Sequence, residues 1–188
     1  MPPIKLLGFQ DDSVIDEISE LEKKVGLPHN FIHKLTSEDD WSFVIKLNAL
    51  FEAASTHLLV SKLNVPELKD NLSYIDFGNS KFGKVALLKK LGCINSDEAK
   101  FLQMLFELRN KLAHNIAHVN FSFASHLNNM DSNQKKSFVN SVKCGNETIF
   151  WNCEDQPREK YVISHPKLLI FLTASDILVS LHMQTVGE

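Results

Sequence analysis

Phe101, Leu102, Leu105, Leu108, Leu112 and Ile116 recur at helical spacing, and that period commits this part of the chain to a helix with one apolar face. Ser96-Asp97-Glu98 supplies its cap and first-turn acids, and its end is expected between His114 and His118. A second pattern of the same kind, Phe43, Leu47, Leu50, Phe51, Ala54 and Leu58, is expected to open at Thr36 or Ser37 and to run to about Leu63, ahead of Pro66. Two further helices are expected over 11–25, closed by Gly26 and Pro28, and from Pro166 with Leu169, Leu172, Ile177, Leu178 and Leu181 inside. Shorter helical pieces fit 30–35, 84–91 and 131–142. The segments that read otherwise are brief: weak strand character over 72–77, alternation at Val119, Phe121 and Phe123, and a loop or hairpin over 144–160.

The expectation is therefore all-α: an antiparallel bundle of five or six helices with one irregular insertion, over about 119–160. At 188 residues it is read as a single domain, 1–188, with its core at about 36–118 plus the C-terminal helix over 165–183. Seven Gly, six Pro and 9% aromatic residues oppose a turn-rich barrel or sandwich. A net charge of −3 excludes a protein basic enough to coat nucleic acid as a whole. The stretch from Lys62 to Lys111 nevertheless carries nine basic and six acidic residues, so the acidic excess lies elsewhere.

Cys93, Cys144 and Cys153 form no Cys-x-x-Cys pair, and Met1-Pro2-Pro3 opens neither a basic nor a long apolar leader, so a cytoplasmic location is expected. The apolar run over 168–174 meets Ser175 and Asp176 short of a membrane span, so no membrane partner is expected.

Gly78-Asn79-Ser80-Lys81-Phe82-Gly83-Lys84 matches the front of a phosphate-cradling loop, but Val85 stands where a hydroxyl must reach magnesium. A turn before a short helix is the better reading. His114 and His118 would share a face on an intact helix, yet His126 and the cysteines lie at no diagnostic metal spacing. No metal and no cofactor are expected.

Only two arginines, Arg109 and Arg158, stand against eighteen lysines. A guanidinium offers a planar fork for phosphate or carboxylate oxygens, and an imidazole gives and takes protons near neutrality. Arg109 and His114 together thus supply a phosphate clamp and an acid–base group. Five residues place them roughly 140° apart on a straight helix, so they converge only if the helix frays at His114 or if two protomers share a site. In the alternative, Arg109 pairs with an acid such as Glu52 and His114 caps the helix end.

Arg109-Asn110-x-x-x-His114 resembles the R-x4-6-H signature of the HEPN superfamily. The longer pattern of Phe82-Gly83-Lys84, Leu91-Gly92-Cys93-Ile94-Asn95 and Leu108 to His114, with Glu52-Ala53, is similar to the mannitol operon repressor family, whose fold is HEPN-like. The resemblance covers about 41–118. It implies a HEPN-like bundle and, in one branch, a metal-independent endoribonuclease of toxin–antitoxin or defence type. There Arg109 would hold the scissile phosphate of RNA, His114 would move the proton, and Asn110 would orient the site. Glu52 would aim Arg109, and Lys111 would add charge. A homodimer would complete the site, with an antitoxin as possible partner. The other branch implies a non-catalytic regulator of transcription acting through protein partners, since no helix with a basic DNA-reading face is present.

Overall fold

The structure, a computed structural model, describes residues 19–20, 22–24, 26–142 and 158–186. In chain order the helices are α1 (Phe31–Lys34), α2 (Asp40–Leu63), α3 (Lys69–Ser73), α4 (Lys84–Lys90), α5 (Ser96–Ala113), α6 (Phe123–Asn128), α7 (Ser132–Val142), α8 (Arg158–Ser164) and α9 (Pro166–Val186). Short 3-10 turns at Leu35–Ser37, Pro66–Leu68 and Ile116–Asn120 join them. There is no strand among the described residues, so the chain is all-α. Of the expected helix over 11–25, residues 19–20 and 22–24 are helical; the remainder, with Cys144 and Cys153, lies outside the described residues.

The axis of the bundle is α2. Phe43, Val44, Leu47, Leu50, Phe51, Ala54, Leu58 and Leu59 are buried on several of its sides, and α5 and α9 pack most heavily against it. A helix apolar nearly all round can only be satisfied in this central place. The same composition gives α2 and residues 166–185 of α9 the length and hydropathy of membrane-crossing helices, but most of each is buried within the bundle. Phe51 meets Phe101 of α5 edge to face at 6.3 Å, and Phe43 meets Phe123 of α6 at 6.1 Å. The buried apolar residues form one contiguous cluster.

Local chemistry fixes the helix ends. The Asp39 carboxylate accepts from the Ser42 amide at 2.9 Å and from its hydroxyl at 2.6 Å, which holds its pKa below the usual value. That cap starts α2 at Asp40 rather than at Thr36 or Ser37, because the preceding three residues close a 3-10 turn. Asp40 accepts from the Phe123 amide at 2.9 Å and lies 3.5 Å from Lys167, tying α6 and α9 to the start of α2. Asn64 ends the helix in the left-handed region at φ 51°. Glu22 is buried and accepts from the Asn30 and Ile32 amides, each at 2.8 Å, so a carboxylate covers the first turn of α1.

Three expectations for non-helical segments change. Residues 72–77 are not extended: Leu72 and Ser73 close α3, and a turn carries the chain on to α4. The alternation at Val119, Phe121 and Phe123 belongs to a 3-10 turn and the start of α6, and residues 158–160 of the expected loop are the first turn of α8.

Candidate functional site

α5 carries Arg109, Asn110, Lys111 and, at its C-terminal cap, His114. Its start is a reciprocal capping box: Asn95 accepts from the Asp97 and Glu98 amides at 2.8 and 2.9 Å, and Glu98 returns a bond from the Asn95 amide at 2.6 Å. Its end is fixed with equal care. The Lys111 carbonyl accepts from His118 Nδ1 at 2.9 Å, the Leu112 carbonyl from the Trp41 indole at 3.5 Å, and the Asn110 carbonyl from the His114 amide at 3.2 Å. The Lys111 and Leu112 carbonyls are among those that a helix end otherwise leaves without partners. Asn115 then turns to extended backbone and caps the next 3-10 turn through the Ala117 amide. His114 and His118 therefore do not share a continuous helix, and His118 is spent on the helix end. Among the described residues no three potential metal ligands cluster.

The Arg109 guanidinium lies 3.9 Å from Glu52 of α2 and donates to the Asn110 side-chain oxygen at 3.0 Å. Its side chain remains 36% exposed, so the groups that aim it leave it open to solvent. His114 is exposed. Glu52, Arg109 and Asn110 thus form one edge. α5 does not fray at His114, which stays right-handed helical at φ −77° and bonded to the Asn110 carbonyl. Within one chain it therefore remains roughly 140° around the axis from Arg109. Both features of the non-catalytic alternative are also present, because Arg109 does meet Glu52 and His114 does cap the helix.

Lys111 is not part of this edge. Two residues along a helix turn it roughly 200° away from Arg109, and it lines grooves with His126 and Asn129 on the opposite flank of α5. Burial, and then the Lys111 charge, lowers the pKa of His126 below 6.5. The pKa of His57 on α2 is lowered as well, by burial and by Lys24, His182 and Lys69. A histidine whose folded pKa lies below its unfolded value stabilises fully above pH 6.5, and that stability is lost as pH falls through 6.5 toward the folded value. The melting temperature should therefore drop between pH 7 and 5, and His126→Gln should flatten the drop; an unchanged profile in the variant would remove His126 as a cause.

Lys84 and its loop complete the surroundings. Lys84 is buried, donates to the Ser73 carbonyl at 3.0 Å, and has its pKa lowered by burial against the opposing charges of Glu52 and Asp76. Two of the loop's amides bond to Asn79 Oδ1, from Lys81 and Phe82, both at 3.0 Å, and the Gly83, Lys84 and Val85 amides bond to carbonyls of 76–79. These amides are turned inward, so this is the turn before a short helix and not a phosphate cradle. The glycines serve packing. A Cβ on Gly78 would stand 2.0 Å from the Phe106 ring, and one on Gly83 would stand 2.6 Å from the Asn79 backbone. The loop is thereby pressed against α5 one turn before Arg109. Sequence reading missed Trp41 and the helix-end role of His118, since nothing in local spacing joins Trp41 to a carbonyl 71 residues away.

The fold and this edge define an all-helical domain with an exposed guanidinium and imidazole at the end of one helix. Comparison with family models, with curated proteins and with solved structures gives no match.

Proposed function

We propose that the chain is a HEPN-like, metal-independent endoribonuclease that cuts RNA to a 2′,3′-cyclic phosphate. The observation that carries this reading is the aimed but open guanidinium: Glu52 and Asn110 hold Arg109 in place near the end of α5 while a third of its side chain faces solvent, and an exposed His114 caps the same helix. Surface ion pairs of this kind are worth about 0–1 kcal/mol. Glu52 therefore directs Arg109 without competing strongly against a phosphate.

Arg109 binds the non-bridging oxygens of the scissile phosphate and stabilises the charge that grows on them. The 2′-oxygen attacks phosphorus in line as its proton passes to a neutral imidazole, and the P–O5′ bond breaks as the 5′-oxygen receives a proton. One His114 performs one of these transfers. Two chains paired about a twofold axis present two such groups, which is why the reading includes a homodimer.

The test is incubation of the purified protein with RNA in EDTA, followed by analysis of the ends. Products ending in cyclic phosphate are expected. RNA left intact by folded, dimeric protein removes the enzyme. It would favour the mannitol-repressor-like regulator, in which the Glu52–Arg109 contact only joins α2 to α5.

A further inference from the structure

The composition of α2 leaves its own setting open. Apolar side chains are buried on several of its sides, and apolar packing is non-directional. Such a helix could turn about its axis, or slide along α5, and still bury much the same surface. Glu52 meets Arg109 at only one of those settings.

A hydrogen bond is directional, and α2 carries one inside this interface. Asn48 is 0% exposed. Its Nδ2 donates to the Leu105 carbonyl of α5 at 3.1 Å and to the Val44 carbonyl of its own helix at 3.0 Å. Both groups it meets are acceptors, so the amide stands only with its nitrogen toward them. The Trp41 bond to Leu112 also joins the two helices, but it is 3.5 Å long and only part-buried.

The place of the Asn48 bond matters for Arg109. Residues four apart share a helix face, so Asn48 lies one turn before Glu52 on α2, and Leu105 one turn before Arg109 on α5. In the α-helical ladder the Leu105 carbonyl is the acceptor of the Arg109 amide. α2 thus holds Arg109 at both ends. Asn48 grips the peptide that receives its backbone N–H, and Glu52 lies 3.9 Å from its guanidinium.

Asn48 Oδ1, by contrast, is buried with no hydrogen-bond partner among the described residues. An acceptor removed from water and left unpaired opposes folding. A leucine would fill about the same space without that cost. A single buried asparagine between apolar helices trades stability for a defined register.

We propose that Asn48 is a positioning residue: it fixes the register of α2 against α5 and so sets Glu52 opposite the Arg109 guanidinium. Its kinetic consequence rests on the ribonuclease reading above; its geometric consequence does not.

The test compares Asn48→Leu, Glu52→Gln and the double variant in the full-length protein. Arg109 and Arg158 are the only arginines, so a nitrogen–proton correlation spectrum at slightly acidic pH carries two guanidinium Nε–H signals, which Arg158→Lys assigns. In Asn48→Leu the Arg109 signal should move most of the way to its position in Glu52→Gln, and the double variant should move it little further. The melting temperature should stay within about 2 °C of the parent's or rise, since an apolar residue replaces a half-paired amide. RNA cleavage should fall about 10- to 100-fold in kcat with KM within about twofold, because misplacement of a catalytic group is felt in the transition state. Should leucine overfill the site and lower the melting temperature, Asn48→Ala removes the same bond without added bulk, and the Arg109 signal is read there.

An Arg109 signal unmoved in the folded variant overturns the proposal, and so does movement that adds fully to that of Glu52→Gln. Cleavage by the parent that Asn48→Leu leaves within twofold also overturns it while keeping the ribonuclease. A moved signal in a protein that cuts no RNA keeps the register role of Asn48 and removes the ribonuclease.

Discussion

Arg109→Ala and His114→Ala should each lower RNA cleavage by about 100-fold or more while leaving the fold intact. Proton transfer by a positioned side chain contributes about 10²–10⁴-fold, and an arginine on developing phosphate charge acts in the same range. The cost to stability should be small. Arg109 and Glu52 are each about one-third exposed and 3.9 Å apart, a geometry worth about 0–1 kcal/mol. In a chain of this size that corresponds to about 2–4 °C at most. His114 contributes its backbone amide to the helix end, and alanine keeps that amide. Arg109→Lys is the sharper control, because it keeps the charge but loses the fork that both grips phosphate and reaches Asn110. Cleavage rates under single-turnover conditions and thermal melts on the same preparations check the prediction. A melting loss of several degrees in parallel with every loss of activity would mark these residues as structural.

The largest effect on stability is expected at Phe51. Its side chain is fully buried on the central helix and meets Phe101 edge to face. Phe51→Ala removes that contact and leaves a cavity where α2 faces α5, costing about 3–5 kcal/mol. The melting temperature should fall by about 6–20 °C at the size of this chain. Phe51→Leu refills most of the volume and should recover more than half of the loss. A drop of only a degree or two in the alanine variant would mean that the helices close over the gap and that the core is looser than its burial implies.

How much of this was legible depends on range along the chain. α5 and α9 were readable closely because their apolar period is long, although the cap of α5 is Asn95 rather than Ser96 and α9 runs to Val186, past the expected 183. The all-α class followed from those helices and from α2. The start of α2 was misplaced because Thr36, Ser37 and Asp39 are all good caps, and only Asp39 has its side chain on the first-turn amide. Residues 72–77 misled because a few apolar positions, Leu72, Ile75 and Phe77, in a short segment fit a strand or a helix end equally well. At the site, Glu52 beside Arg109 was within reach, since one polar residue on an apolar helix invites a partner. Lys111 was not, because sequence neighbours on a helix face different ways. The exposure of Tyr74 and Phe82, 89% and 74%, had no signature in the sequence, since local spacing does not say which loop aromatics find a packing partner.

Phe51 and Glu52 are consecutive on the central helix, one fixed in the core and the other aimed at Arg109. That adjacency limits how the protein can change over evolutionary time. A substitution that repacks the core at Phe51 also rotates or shifts the carboxylate that steers the guanidinium, so the interior and the Arg109 edge cannot drift independently. Variation is free instead on the flank of α5 that Lys111 occupies, where side chains can be exchanged without moving Arg109. Lineages of this fold should therefore keep the Phe51–Glu52 pair together, or lose both.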